Sequence, residues 1–197
     1  TAMKSFIFLI FCLILAMQFS YSQSCCEDKS ATEIMASFAD DVNFRNLHPE
    51  PKPFELVGGT GEMVTFKVKD GPDGGGYQVK STTPTNNWLF VFHEWYGLND
   101  YIKKESEEIA STLGNVNVLA VDLYDGKVAT NNQEASTYVK AVDKTRALNI
   151  IHGAMDYAGS SAVFGTIGWC FGGAWSNQAA IEMGSSCKAC VIYYGMP

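Results

Sequence analysis

Histidine is scarce in this chain, and positive charge is neither abundant nor clustered. Three His and 14 Lys plus Arg stand beside 21 Asp plus Glu in 197 residues, a formal net charge of −7. An acidic balance with no Lys/Arg cluster argues against nucleic acid or an anionic membrane surface as partner; it suits a solvated surface. Internal repeats and low-complexity tracts are also absent. One domain is therefore expected, and 47% apolar residues with twelve Phe and four Trp are enough for one buried core.

Near the start, the apolar run over 6–17 is short for a membrane span. It follows Met3-Lys4 and is followed by Ser20-Tyr21-Ser22, with small residues placed for a cut before Gln23. This layout predicts a signal peptide over 1–22 and a secreted or periplasmic protein, free of the membrane once cleaved. An uncleaved anchor is the competing reading, but no stop-transfer flank follows. Thr1-Ala2 ahead of Met3 look like read-through upstream of a start, which suggests a partial sequence. Of six Cys, Cys12 leaves with the signal; Cys25, Cys26, Cys170, Cys187 and Cys190 remain. In an oxidising compartment an odd count leaves at least one thiol unpaired.

Residues 23–54 are polar and end in Pro51-Lys52-Pro53, which suits an arm or linker with one short helix over 33–38. The domain proper is expected from residue 55 onward. Strands are predicted over 63–68 and 77–80 around a Gly-rich turn over 71–76, an antiparallel pair at a sheet edge. Continuous apolar strands follow over 88–92, 116–121, 163–167 and 189–194, as expected where both faces of a parallel sheet are covered. Between them lie helices over 99–113, with Ile102, Ile109 and Leu113 inward, over 133–157, and over 172–183. The fold class is α/β, a mostly parallel sheet with helices on both faces.

Gly168-Trp169-Cys170-Phe171-Gly172-Gly173 sits between the third buried strand and its helix. It has the small-x-nucleophile-x-small form of a nucleophile elbow. A nucleophile at the tip of so sharp a turn needs strained backbone angles, and its neighbours two residues away must be tiny. The helix N-terminus then points at the thiol and favours thiolate and an anionic intermediate. The Phe171 N–H would be one oxyanion-hole donor. The competing reading is an inert buried cysteine beside a Gly-rich turn; the strand–turn–helix position favours the nucleophile. His93-Glu94 follow the first buried strand, where α/β proteins place their sites. They suit acid–base work, or equally a solvated Glu94 and a His93 that caps the strand end.

Four segments in order resemble the dienelactone hydrolase family of the α/β-hydrolase fold: 92–99, 120–124, 168–173 and 191–195. The likeness covers roughly residues 56–197. It implies a Cys-His-Asp triad that hydrolyses esters or lactones through an acyl-enzyme, without cofactor or metal. By position, Cys170 is the nucleophile and Glu94 the glutamate that holds the resting thiol. The N–H groups of Trp95 and Phe171 match the oxyanion hole.

Two departures limit the carry-over. In α/β hydrolases the triad acid and His follow the nucleophile, yet no Asp or His follows Cys170, and Glu182 lies within the next helix. His48, His93 and His152 all precede it, with His93 the only one expected near the site. The chain is therefore expected to stop before its last strands and triad partners, and to be inactive as it stands. The family's best-known members also hold a substrate carboxylate with arginines. Here the segment after Asp122-Leu123-Tyr124 offers only Lys127, a poor substitute for a bidentate clamp, so the dienelactone itself is a doubtful substrate.

Cys187-Lys188-Ala189-Cys190 is one C-x-x-C with no second pair or nearby His, which is weak evidence for zinc. A short disulfide or two buried thiols is the expectation. Tyr193-Tyr194 read as core. Two rival functions remain: a catalytically inactive hydrolase fold used for binding, and a thiol redox protein using Cys170 or the Cys187/Cys190 pair.

Overall fold

The computed structural model describes residues 31–195, so the predicted signal peptide, Cys25 and Cys26 lie outside the described residues. Six strands form one sheet: β1 (Glu62–Phe66), β2 (Gly74–Val79), β3 (Asn87–Phe92), β4 (Asn117–Asp122), β5 (Val163–Trp169) and β6 (Cys187–Tyr193). Their spatial order is β1-β2-β4-β3-β5-β6. β4, β3, β5 and β6 run parallel, and β1 and β2 add an antiparallel edge. This is the expected α/β arrangement.

The central strands are apolar throughout because both faces are covered. Phe90, Phe92, Leu119 and Val121 enter one core, while Val91, Val118 and Ala120 enter the other. Each fully buried Phe, Leu or Val contributes roughly 1.5–3 kcal/mol. Helix α3 (Asp100–Leu113) covers the second face through Ile102, Ser106 and Ala110, not through Ile109 and Leu113. Leu113 is exposed because Gly114 ends the helix there. Asn99 caps it as expected, its side chain accepting from the Ile102 N–H at 3.1 Å.

The other face carries α4 (Asn132–Ala141), α5 (Lys144–Ala158) and α6 (Phe171–Met183). The stretch expected as one helix over 133–157 is two, because Asp143 caps a new helix by accepting from the Arg146 N–H at 2.7 Å. Gly74 to Gly76, expected in a turn, are β2. The Phe66 ring lies 2.5 Å from where a Cβ on Gly74 would sit, and the Ala120 carbonyl 2.7 Å from one on Gly76. Residues 31–54 hold α1 (Ala31–Ala39) and α2 (Val42–Leu47), and Met35 and Ala39 are buried in the first core. Among the described residues no helix is long and apolar enough to cross a membrane.

Candidate active site

The sharpest feature of the backbone lies where β5 meets α6. Cys170 stands there at φ 53° and ψ −119°, a left-handed conformation that costs a β-substituted residue about 1–3 kcal/mol. Only tiny neighbours allow it. A Cβ on Gly168 would fall 2.0 Å from the Gly172 carbonyl oxygen, and one on Gly172 would fall 2.1 Å from that of Phe92. Backbone bonds then pin the turn: the Cys170 N–H donates to Tyr193 O at 3.0 Å, and Gly173 N–H donates to Cys170 O at 3.0 Å. The thiol thus sits at the N-terminus of α6, at the carboxyl end of the parallel strands.

Cys170 is buried, with 6% of its surface exposed. Burial pushes its thiol up to about 11, the nearby Glu94 carboxylate pushes the same way, and the Phe171 N–H bonded to the sulfur pulls against both. At neutral pH the resting group is therefore the thiol. Where Phe171 donates is also where an oxyanion on an attached carbonyl would form. No backbone acceptor among the described residues takes the Trp95 N–H.

Glu94 is half-buried, and its Oε1 accepts a hydrogen bond from the Tyr194 hydroxyl. Burial and then Glu94 raise the Tyr194 phenol well above its usual range. Tyr194 was read from sequence as core; it stands instead at the mouth of the site. The signal that could have marked it is its place directly after an apolar parallel strand, before Gly195, whose Cβ would press on Gly173.

His93 is not free for acid–base work. It is fully buried; its Nε2 accepts from the Leu123 N–H at 3.2 Å, so Nδ1 carries the proton and donates to Glu94 O at 2.7 Å. Burial lowers its pKa, and the neutral ring ties the end of β3 to the end of β4. His152 pairs with Glu182 at 2.9 Å, outside this site. His48, which no local pattern singled out, shares a cavity with Cys170. Its Nδ1 bonds Phe44 O at 2.7 Å, and its ring lies 5.5 Å from that of Trp95. The expectation that His93 alone lies near the site is thus corrected.

Two cavities flank the Glu94–Tyr194 contact. One of about 380 Å³ holds Cys170, Phe171 and Ala174, and its lining is apolar apart from Cys170, His48 and Tyr194. The other, about 460 Å³, is lined by Glu94, Asn99, Lys104 and Trp169, and Tyr194 borders both. Lys127 lies elsewhere, with Nζ 5.8 Å from the Tyr138 ring centre. Arg146 is committed to Asp125 at 2.6 Å and to the Pro72 carbonyl at 2.8 Å. Among the described residues, no Lys or Arg lines the cavity that holds Cys170.

Cys187 and Cys190 are free thiols rather than a disulfide; Cys187 opens β6 directly after a 3-10 turn over Gly184–Ser186 and is half-buried, and Cys190 is exposed rather than buried. An irregularity in β6 opposite Phe164 and Gly165 pairs Cys187 with Phe164 and Cys190 with Thr166, so both lie on one face. No group of three or more His, Cys, Asp or Glu among the described residues could hold a metal ion.

The dienelactone hydrolase family model matches residues 75–197. Among solved structures, the chain is 21% identical to a dienelactone hydrolase-like promiscuous phosphotriesterase, P91, from metagenomic libraries. That alignment has a TM-score of 0.54 and covers 69% of this chain and 59% of P91. To m3DLH the identity is 23% and the TM-score 0.50, with 69% of this chain and 60% of that one covered. The chain therefore spans about three fifths of the length of these structures. No curated protein matches.

Proposed function

Since the chain belongs to the dienelactone hydrolase family, we propose that the natural protein hydrolyses small carboxylic esters or lactones with Cys170 as nucleophile. The left-handed backbone of Cys170 at the start of α6 carries this reading. A structural cysteine gains nothing from that strain, whereas a nucleophile gains exposure to substrate and to the helix N-terminus.

In the proposed reaction the thiol passes its proton to the triad His, which later returns it to the leaving oxygen, and the thiolate attacks the substrate carbonyl carbon. The N–H groups of Phe171 and Trp95 take the developing charge on oxygen. The C–O bond breaks, the leaving oxygen is protonated, and water then cleaves the thioester, releasing the acid and restoring the thiol. Burial, with a smaller push from Glu94, keeps the thiol protonated at rest, and the Tyr194 hydroxyl donates to Glu94. The triad Asp and His are assigned to sequence that follows residue 197 in the natural protein. The exposed apolar side chains Val191, Ile192 and Tyr193 on β6 support that assignment, because such a strand is stable when further strands and helices cover it. Export through the signal over 1–22 belongs to the same proposal, and a secreted product beginning at Gln23 tests it.

Hydrolysis of p-nitrophenyl acetate by the natural full-length protein and its Cys170→Ala variant tests the chemistry. Loss of at least about a thousandfold in kcat/KM, roughly 4 kcal/mol of transition-state stabilisation, is expected. Equal turnover in both proteins, or none in a folded wild type, would remove the hydrolase reading and favour a binding role.

A further inference from the structure

The family match begins at residue 75, so helices α1 and α2 lie outside it. Yet they build one wall of the cavity that holds Cys170. Met35 and Phe38 come from α1, Phe44 and Leu47 from α2, and the opposite wall is Cys170, Phe171 and Ala174. Two of the arm side chains are left facing solvent at this cavity: Leu47 is 80% and Phe38 40% exposed. Apolar groups grouped around a concave site at about 380 Å³ have the size and lining of a small-molecule pocket. No Lys or Arg stands in its described lining; of its polar side chains, His48 is bonded through Nδ1 to the Phe44 carbonyl and the Tyr194 hydroxyl donates to the Glu94 carboxylate, which leaves no fixed positive charge for an anionic group.

We propose that α1 and α2 form the acyl-binding wall of the Cys170 site and select esters whose acyl group is a neutral, apolar chain or ring of medium length. The inference rests on Cys170 being the nucleophile, since only then does a group in this cavity become the acyl part of the thioester. Burying a methylene is worth about 0.8 kcal/mol, which is about fourfold in kcat/KM for each one that finds the wall.

The test uses the natural full-length protein and p-nitrophenyl acetate, butyrate, hexanoate and octanoate. A rise of on the order of a hundredfold from acetate to hexanoate is expected. Leu47→Ser, and the double variant Phe38→Ser/Leu47→Ser, should flatten that rise by about tenfold at hexanoate relative to acetate. Both residues are exposed enough for the fold to tolerate the change. In parallel, N-ethyl and N-hexyl maleimide are compared for labelling of Cys170, read by peptide mass spectrometry, which needs no turnover. Faster hexyl labelling, lost in the variants, supports the wall even if ester hydrolysis fails. Turnover with no chain-length preference overturns the wall and leaves the hydrolase. Equal labelling by both maleimides in the absence of turnover overturns it as well.

Discussion

The elbow that carries Cys170 and the arm that faces it enclose one cavity, but different forces hold them. At the elbow, backbone packs on backbone: Gly168 against Gly172, Gly172 against Phe92 and His93, and the Cys170 N–H on Tyr193 O at 3.0 Å. At the arm, side chains pack on side chains. Met35 and Ala39 enter the core, the Phe44 ring meets the Trp95 edge at 5.7 Å, and Asn132 donates to the Arg45 and His48 carbonyls at 3.1 and 3.0 Å. Backbone contacts have no rotamers with which to relax, so the elbow has one shape. Side-chain contacts can be exchanged for others of similar volume. The Cys170 sulfur is therefore placed by the rigid wall, and the arm wall can vary without moving it.

The largest expected difference comes from enlarging one small side chain in each wall. Gly172→Ala puts a Cβ 2.1 Å from a carbonyl oxygen that cannot move aside. A loss of about 4 kcal/mol or more, or failure to fold, is expected in urea unfolding. By contrast, Ala36→Val in the partly buried face of α1 should cost no more than about 1.5 kcal/mol. Similar losses at the two positions would erase the distinction.

Next in size is the charge at the elbow. The folded thiol keeps its proton up to about 11, whereas an ordinary thiol loses it near 9.0. The folded state is thus the one holding the extra proton between those values. Stability should be unaffected by this group below pH 9.0 and should decline as pH rises from there to about 11. That decline should be absent in Cys170→Ala. Glu94→Gln removes a charge that raises the thiol, so alkylation of Cys170 by iodoacetamide at mildly alkaline pH should quicken severalfold, with Cys190 as the exposed internal control. An unchanged rate would mean that Glu94 does not act on the thiol.

Smaller again is the release of strain. Cys170→Gly should be more stable than Cys170→Ala by about 1 kcal/mol, because glycine accepts φ 53° freely. The smallest effect belongs to the arm's ion pair of Asp40, largely in solvent, with the partly exposed Lys140. Lys140→Ala should shift stability by at most about 0.5 kcal/mol.

The elbow was legible in the sequence because its requirements are local. Two glycines flank Cys170 within five residues, between an apolar strand and a helix, a pattern visible without the Phe92, His93 and Tyr193 backbone that packs against it. The strands were legible for the same reason, apart from Gly74 to Gly76, where the rings and carbonyls that demand glycine lie on neighbouring strands. The break at Asp143 carried a capping signal that the helical spacing on either side obscured. His48 and the arm wall were not legible. They meet Cys170 only through tertiary packing, and a Phe or Leu in a short helix gives no sign of the partner it will find. His93 shows the converse case: adjacency to Glu94 suggested acid–base work, but complete burial and two backbone bonds make it structural.

The most direct test of the account is intact-mass spectrometry of the natural full-length protein quenched during turnover of p-nitrophenyl acetate. The account predicts one acetyl group on the peptide that contains Cys170, appearing within the first turnover and absent from Cys170→Ala. Hydrolysis without any adduct on that peptide, continuing undiminished in Cys170→Ala, would contradict it.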